Sequence, residues 1–223
     1  MNRAIICIHV APKCLTSNLF PLMPTVIRKL SHLELSLYTD HLIRLPVEDR
    51  YLRFGYAISD EGIKKYVDSQ YRIKQVVLGA FDENLNVVAA IEIVFDTSKY
   101  TTTNETAEIG LSVEPGHRNA GLGSELFRDA IVITRNRSVV QLVSHCLTQN
   151  RWMMRIAKKY GMSVMSDTGE SMGTIALESP NVVSIMGEVL GDGISLWDYA
   201  NLASPSIFNP GFNMAKPYNV RSQ

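Results

Sequence analysis

Residues 113–133 read VEPGHRNAGLGSELFRDAIVI, and they constrain the fold more than any other stretch of the chain. A strand-like run ends at Pro115, and glycines follow at 121 and 123. An apolar-periodic segment then opens at once, with Leu122, Leu126, Ala130 and Ile133 at helical spacing. This is a place where a strand turns into a helix. The first amides of a helix have no intrahelical partners, and its dipole favours an anion there. Gly121 and Gly123 lack Cβ atoms, so a phosphate can come close to the main chain, and Arg118 adds a fixed positive charge. The competing reading is a tight turn that merely lets helix and strand pack closely. Two nucleotide motifs fail here. A Walker loop needs Gly-Lys-Ser/Thr where Gly123 is followed by Ser124 and Glu125, and a Rossmann fingerprint needs a third glycine where Leu126 stands.

Around this junction the pattern alternates. TVIRKL is strand-like, and SHLELSLYTDHLIRL is helical, with Ser31 and Glu34 as a capping box, Leu33, Leu37 and Leu42 near helical spacing, and Pro46 as the stop. EDRYLRFGYAI is less regular, and SDEGIKKYVDSQ reads as a second helix. Two apolar runs flanking DENLN make an antiparallel hairpin, KYTTTNET is a polar loop, and AEIGLSVEP is a further strand. SVVQLVSHCL suits a buried strand. NRWMMRIAKKY is a short helix ended by Gly161, with Met153, Ile156, Ala157 and Tyr160 facing inward, and two last strands follow. After Pro180 the pattern allows one or two helical turns around Trp197, then an irregular arm.

Composition bounds the function. With 46% apolar residues the chain can bury a full core, and its 22 basic and 22 acidic residues cancel, against a dedicated nucleic-acid binder. Cys7, Cys14 and Cys146 are too few and scattered for a disulfide framework, and the histidines lack metal-ligand spacing, so no metal is expected and a reducing cytoplasm is the default. The apolar stretch near the N-terminus is interrupted by His9, lacks a clear cleavage site, and is far short of a membrane span.

RNAGLG matches the R/Q-x-x-G-x-G/A motif of the GNAT superfamily of N-acetyltransferases, and SHCLTQNRWMMRIAKKYGM resembles the strand, asparagine and short helix that follow it there. The hairpin and AEIGLSVEP fall in the right order upstream, and EDRYLRFGYAISDEGIKKYV looks like the N-terminal helices of a bacterial subgroup. The resemblance runs from about residue 25 to 179. It implies a mixed, mostly antiparallel α/β (α+β) sheet with helices on both faces and a splayed pair of central strands. It divides the chain into an N-terminal extension (1–24), the acyltransferase domain (25–179) and a helical or irregular extension (180–223).

The resemblance also implies acetyl-CoA or another acyl-CoA as co-substrate and an amine acceptor, while the balanced charge and the short apolar stretches point to no nucleic-acid or membrane partner. The pyrophosphate would sit on the amides of Arg118, Asn119, Ala120, Gly121, Leu122, Gly123 and Ser124. Pantetheine would pair with Leu111, Ser112 and Val113, and Asn150 would contact it, cap the next helix, or do both. A protonated amine cannot attack a thioester, so it must lose its proton, directly or through a water, and the resemblance implies a carboxylate at the splayed strands as the usual base. Glu108 is the first candidate and Glu92 the second, each with the alternative of a solvated or salt-bridged strand residue. By strand alternation Glu108, Gly110 and Ser112 share one face. The family's usual acid, a tyrosine seven positions after the asparagine, is replaced by Ala157, and Tyr160 reads as core. Adjacent His145 and Cys146 point to opposite faces of a strand and cannot pair, leaving Cys146 as core and His145 as a substrate-side contact. Two other readings stand beside direct acetyl transfer to a primary amine: a non-catalytic acyl-CoA sensor, and a structural partner whose Trp197 tail mediates homodimer contacts.

Overall fold

The computed structural model describes residues 25–70, 75–95 and 106–203. The N-terminal extension, most of the KYTTTNET loop and the arm after 203 lie outside them. In chain order the elements are β1 (Val26–Lys29), a 3-10 turn (His32–Glu34), α1 (Leu35–Arg44), α2 (Val47–Phe54), α3 (Asp60–Gln70), β2 (Gln75–Phe81) and β3 (Val87–Phe95). Then come β4 (Thr106–Val113), a second 3-10 turn (Pro115–His117), α4 (Leu122–Asn136), β5 (Gln141–Leu147), α5 (Arg151–Lys159), β6 (Ser163–Asp167), β7 (Glu170–Ala176) and α6 (Val182–Ala203). The strands form one open seven-stranded sheet in the order β1-β2-β3-β4-β5-β7-β6, antiparallel except between β4 and β5. Among the described residues no helix is long and apolar enough to cross a membrane.

The sheet is covered on both faces, which explains why β3 reads as a near-continuous apolar run. On one face Ile91, Ile93, Ala107 and Ile109 pack with Leu126, Phe127 and Ala130 of α4 and with Met153 and Ala157 of α5. On the other, Val77, Phe81 and Ala90 pack with Tyr38 and Leu42 of α1 and Ile63 and Val67 of α3. The β4 alternation follows: Ala107, Ile109, Leu111 and Val113 join the α4 side, while Gly110 and Ser112 turn to α1 and α2.

Four readings from sequence change. The EDRYLRFGYAI segment holds a true helix, α2, which begins after Pro46 and closes on Gly55 at φ +80°. Leu33 is 94% exposed, because the apolar stripe of α1 is set by Leu35, Tyr38 and Leu42. The capping pair is real, with the Glu34 carboxylate accepting from the Ser31 amide at 3.0 Å, but it opens the 3-10 turn before α1. The region after Pro180 is a helix of 22 residues, α6, and not one or two turns. Its glycines lower its intrinsic propensity, but long-range polar contacts hold it. Glu188 takes Lys29 at 2.5 Å and Asn136 at 2.7 Å, and Asp192 takes Lys29 at 2.6 Å.

Candidate active site

The β4–β5 pairing sets the site. The two strands are in register over only three positions, ending at Glu108 opposite Val143. Beyond that point β5 continues against β7 to Leu147 and β4 against β3 to Val113, so the central strands part. A strand edge opened in this way presents main-chain donors and acceptors that need partners. The opening forms a cleft of about 220 Å³ whose walls are Leu111, Ser112 and Val113, the turn around Arg118 and Gly121, and the Asn150–Ile156 part of α5. Asp49, Leu52 and Arg53 of α2 complete it.

At the cleft the two glycines do different work. Gly121 is the N-cap of α4 at φ +87°, with open space where a Cβ would point, and Asn119 just before it also has positive φ (63°). The amides of Ser124 and Glu125 both close on the Gly121 carbonyl, and the Arg118 amide on Pro115. None of the five amides between them has a main-chain partner among the described residues. This leaves a row of donors at a helix N-terminus. Gly123 instead serves packing: a Cβ there would meet Ile156 at 3.2 Å and Leu111 and Val113 at 3.5 Å.

Arg118 is held rather than loose. Its Nε donates to the Val113 carbonyl at 3.1 Å and its guanidinium pairs with Asp49 at 2.6 Å, joining α2 to the turn across the cleft. Trp152 at the mouth has the guanidinia of Arg118 and Arg155 within 5.9 and 5.1 Å of its ring. Asn150 caps α5, accepting from the Met153 amide at 3.1 Å, while its Nδ2 points to the Leu52 carbonyl at 3.5 Å and the residue lines the cleft. Neither Asp49, Trp152 nor Arg155 was legible as a site residue, since each belongs to a helix face whose orientation only the fold sets.

The two carboxylate candidates have opposite environments. Glu108 is exposed, at the residue where β4 and β5 separate. Glu92 is 1% exposed and lies opposite Gly110. Its Oε2 accepts from Arg53 at 2.8 Å, Tyr66 at 2.5 Å and Tyr38 at 3.3 Å. Gly110 permits this: a Cβ there would fall 2.0 Å from the Arg53 guanidinium. Burial opposes the charge on Arg53, but Tyr38, Tyr66 and Glu92 outweigh it and raise its pKa, while burial raises those of both tyrosines. Glu92 is therefore the counter-ion that fixes Arg53 over β4.

A second polar array joins α1 to the end of β4, and no local sequence pattern marks it. Fully buried His41 of α1 lies with Nε2 2.9 Å from Ser112 Oγ and Nδ1 3.1 Å from Glu114 Oε1, and Arg44 pairs with the same carboxylate at 2.9 Å. Burial pushes the His41 pKa below its ordinary 6.5. The folded state thus resists protonation where the unfolded chain accepts it, so stability from this group is present above about pH 6.5 and is lost as pH falls toward the depressed value. The urea midpoint should fall between pH 7 and 5, and His41→Gln should flatten that slope.

Of the remaining candidates, Tyr160 stacks on Phe127 and donates to the Ser124 carbonyl at 2.6 Å, and Ala157 is 3% exposed in the core. His145 is exposed and outside the cleft lining. Cys146 packs against the core, where burial pushes its thiol pKa up.

The sequence matches the acetyltransferase (GNAT) family over residues 43–162, more than half of the 223. Similar solved structures include the GNAT domain of PAT from S. lividans, with 17% identity, TM-score 0.57, and 68% of this chain and 89% of that one covered. The yncA protein of Salmonella typhimurium, solved with its cofactor acetyl-CoA, is 16% identical, with TM-score 0.51 and coverage of 71% and 99%. Spermidine N-acetyltransferase from Vibrio cholerae, in complex with CoA and spermine, is 12% identical, with TM-score 0.50 and coverage of 68% and 95%. No curated protein matches the sequence. With strands that part after Glu108 and a glycine-capped helix at the opening, the chain belongs to the acetyltransferase (GNAT) family.

Proposed function

We propose that the protein transfers an acetyl group from acetyl-CoA to a primary amine by direct attack on the thioester. The observation that carries this is the parting of β4 from β5 beside the unpartnered amides that precede Ser124. The unpartnered amides of residues 119–123 receive the pyrophosphate, and Gly121 supplies the positive φ that the turn needs. The free edge of Leu111, Ser112 and Val113 receives pantetheine, with Asn150 fixing the opposite wall. Arg155 and Trp152 stand at the mouth for the nucleotide end. Glu108 takes the proton of the incoming ammonium, directly or through water, so that the nitrogen lone pair can attack. Holding both reactants in the cleft supplies much of the rate. Glu92, buried behind Arg53, supports this arrangement and does not itself meet the amine.

The test is CoA release from acetyl-CoA over a panel of polyamines, amino acids and lysine- or N-terminus-bearing peptides. Acetylation of one class is expected. Tight acetyl-CoA binding with no turnover across the panel contradicts the proposal and favours a sensor.

A further inference from the structure

Ala157 occupies the position from which the family resemblance implies a proton for the departing thiolate, so the reaction needs another source. Ser112 is the hydroxyl residue on the cleft wall that is backed by a buried imidazole. The charges facing His41 fix its tautomer. Burial pushes Glu114 up, but the His41 hydrogen bond and the Arg44 charge outweigh it and hold the carboxyl below its usual range. An ionised carboxylate can only accept, so Nδ1 carries the proton and donates to Glu114. With His41 neutral, Nε2 then has only a lone pair, and the Ser112 hydroxyl must donate to it. The remaining lone pairs of Oγ are left for the cleft.

We propose that Ser112, backed by His41 and Glu114, relays the proton of the attacking amine to the leaving thiolate. This rests on the acetyltransferase reading. A neutral amine adds to the thioester carbonyl and becomes an N-protonated tetrahedral adduct. Its N–H proton passes to Ser112 Oγ as the Ser112 proton passes to His41 Nε2, giving an imidazolium held against Glu114. As the C–S bond breaks, Nε2 returns its proton to Oγ and Oγ passes one to sulfur. The products are the amide and CoA thiol, and the relay ends as it began. Glu108 and the relay handle different protons: Glu108 removes the one that makes the amine an ammonium, and the relay moves the one released by bond formation.

Ser112→Ala should lower kcat by on the order of 10²-fold with KM for acetyl-CoA within about twofold of wild type. Ser112→Thr, which keeps the hydroxyl, should recover most of the loss. His41→Gln, which can hydrogen-bond Ser112 but not store a proton, should show the kcat defect and a smaller solvent isotope effect than wild type. Circular dichroism and the urea midpoint identify a variant that has failed to fold. A folded Ser112→Ala with wild-type kcat overturns the relay, as does a covalently acetylated Ser112 found by mass spectrometry after acetyl-CoA is added without amine. Wild-type turnover on the amine panel is the control. Its absence sinks the acetyltransferase reading, whereas an active wild type with an unaffected Ser112→Ala sinks the relay alone.

A separate observation concerns α6, which docks on the body by its polar face. Ser184, Glu188 and Asp192 bond to Asn136, Arg137 and Lys29, and Tyr199 packs on Phe81 and Arg28. The apolar side chains turn outward: Val182, Val183, Met186, Val189, Leu190 and Ile194 are 58–82% exposed. Amphipathic surface helices ordinarily bury their apolar stripe. An exposed apolar patch of this kind marks an interaction surface. Gly193 lies in its middle with open space where a Cβ would point. We infer that this face pairs with the α6 of a second copy of the chain. Because those six positions carry no charge, two copies meet there without like-charge repulsion, as a two-fold contact requires. The charges of α6 are all acidic, which disfavours an anionic lipid surface.

Light scattering after gel filtration should give a dimer for the wild-type full chain. The double variant Val183→Glu/Leu190→Glu should be a monomer with unchanged acetyl-CoA affinity and circular dichroism. A wild-type monomer, a double variant that stays dimeric, or co-sedimentation of the wild type with phosphatidylcholine vesicles overturns the inference. So does a wild type that dimerises only after removal of residues 1–24 or 204–223, since the chain itself would then cover the face.

Discussion

Glu92→Ala is expected to destabilise the fold by about 3–5 kcal/mol, because it leaves the Arg53 charge between β4 and α1–α3 without its counter-ion. Breaking a buried pair costs the desolvation of the survivor as well as the lost attraction, and Tyr66 and Tyr38 lose their acceptor at the same time. The thermal midpoint should drop by roughly 6–20 °C for a chain of this size. Replacing both members, Arg53→Met with Glu92→Met, should cost less than Glu92→Ala alone, since no unpaired charge is then buried. Urea unfolding of the two variants measures the difference. Equal stability of wild type and Glu92→Ala would mean that Arg53 reaches water and that Glu92 does not fix it.

Glu108→Gln is expected to lower kcat at neutral pH by on the order of 10²-fold or more, with KM for acetyl-CoA unchanged. The glutamine keeps the size of the side chain at the point where β4 and β5 part but cannot take a proton. An alkyl amine has a pKa near ~10, so raising the pH supplies the neutral nucleophile without a base, and the defect should shrink as pH rises. Steady-state rates from pH 7 to 10 make the test. A deficit that stays constant over that range would assign Glu108 to positioning, and a rate within twofold of wild type at neutral pH would place the base elsewhere.

What the sequence disclosed depended on how local the cause was. The glycine turn was legible because one residue, Gly121, must take a positive φ at the start of a helix, and few side chains tolerate that. The hairpin and the Ser31–Glu34 cap were legible for the same reason, since their partners lie within a few residues. The split between Gly121 and Gly123 was not. Whether a missing Cβ makes room for a ligand or for Ile156 depends on where α5 lies. His41 stands 71 and 73 positions from Ser112 and Glu114 in sequence, and only the packing of α1 on the sheet unites them. The full length of α6 is not legible in the sequence, because its outward apolar face and its glycines are poor signals of a docked helix. The contacts that hold it, from Lys29, Asn136 and Arg137, come from far along the chain.

On the proposed function, the turn between β4 and α4 seats an acyl-CoA. Calorimetric titration of acetyl-CoA into wild type and into Gly121→Val tests it most directly, because a β-branched residue cannot hold φ +87° without strain. One saturable site is expected in the wild type, with at least a tenfold loss of affinity, about 1.4 kcal/mol, in a variant that keeps its circular dichroism. Equal affinity in a folded Gly121→Val, or no saturable binding by the wild type, would contradict it.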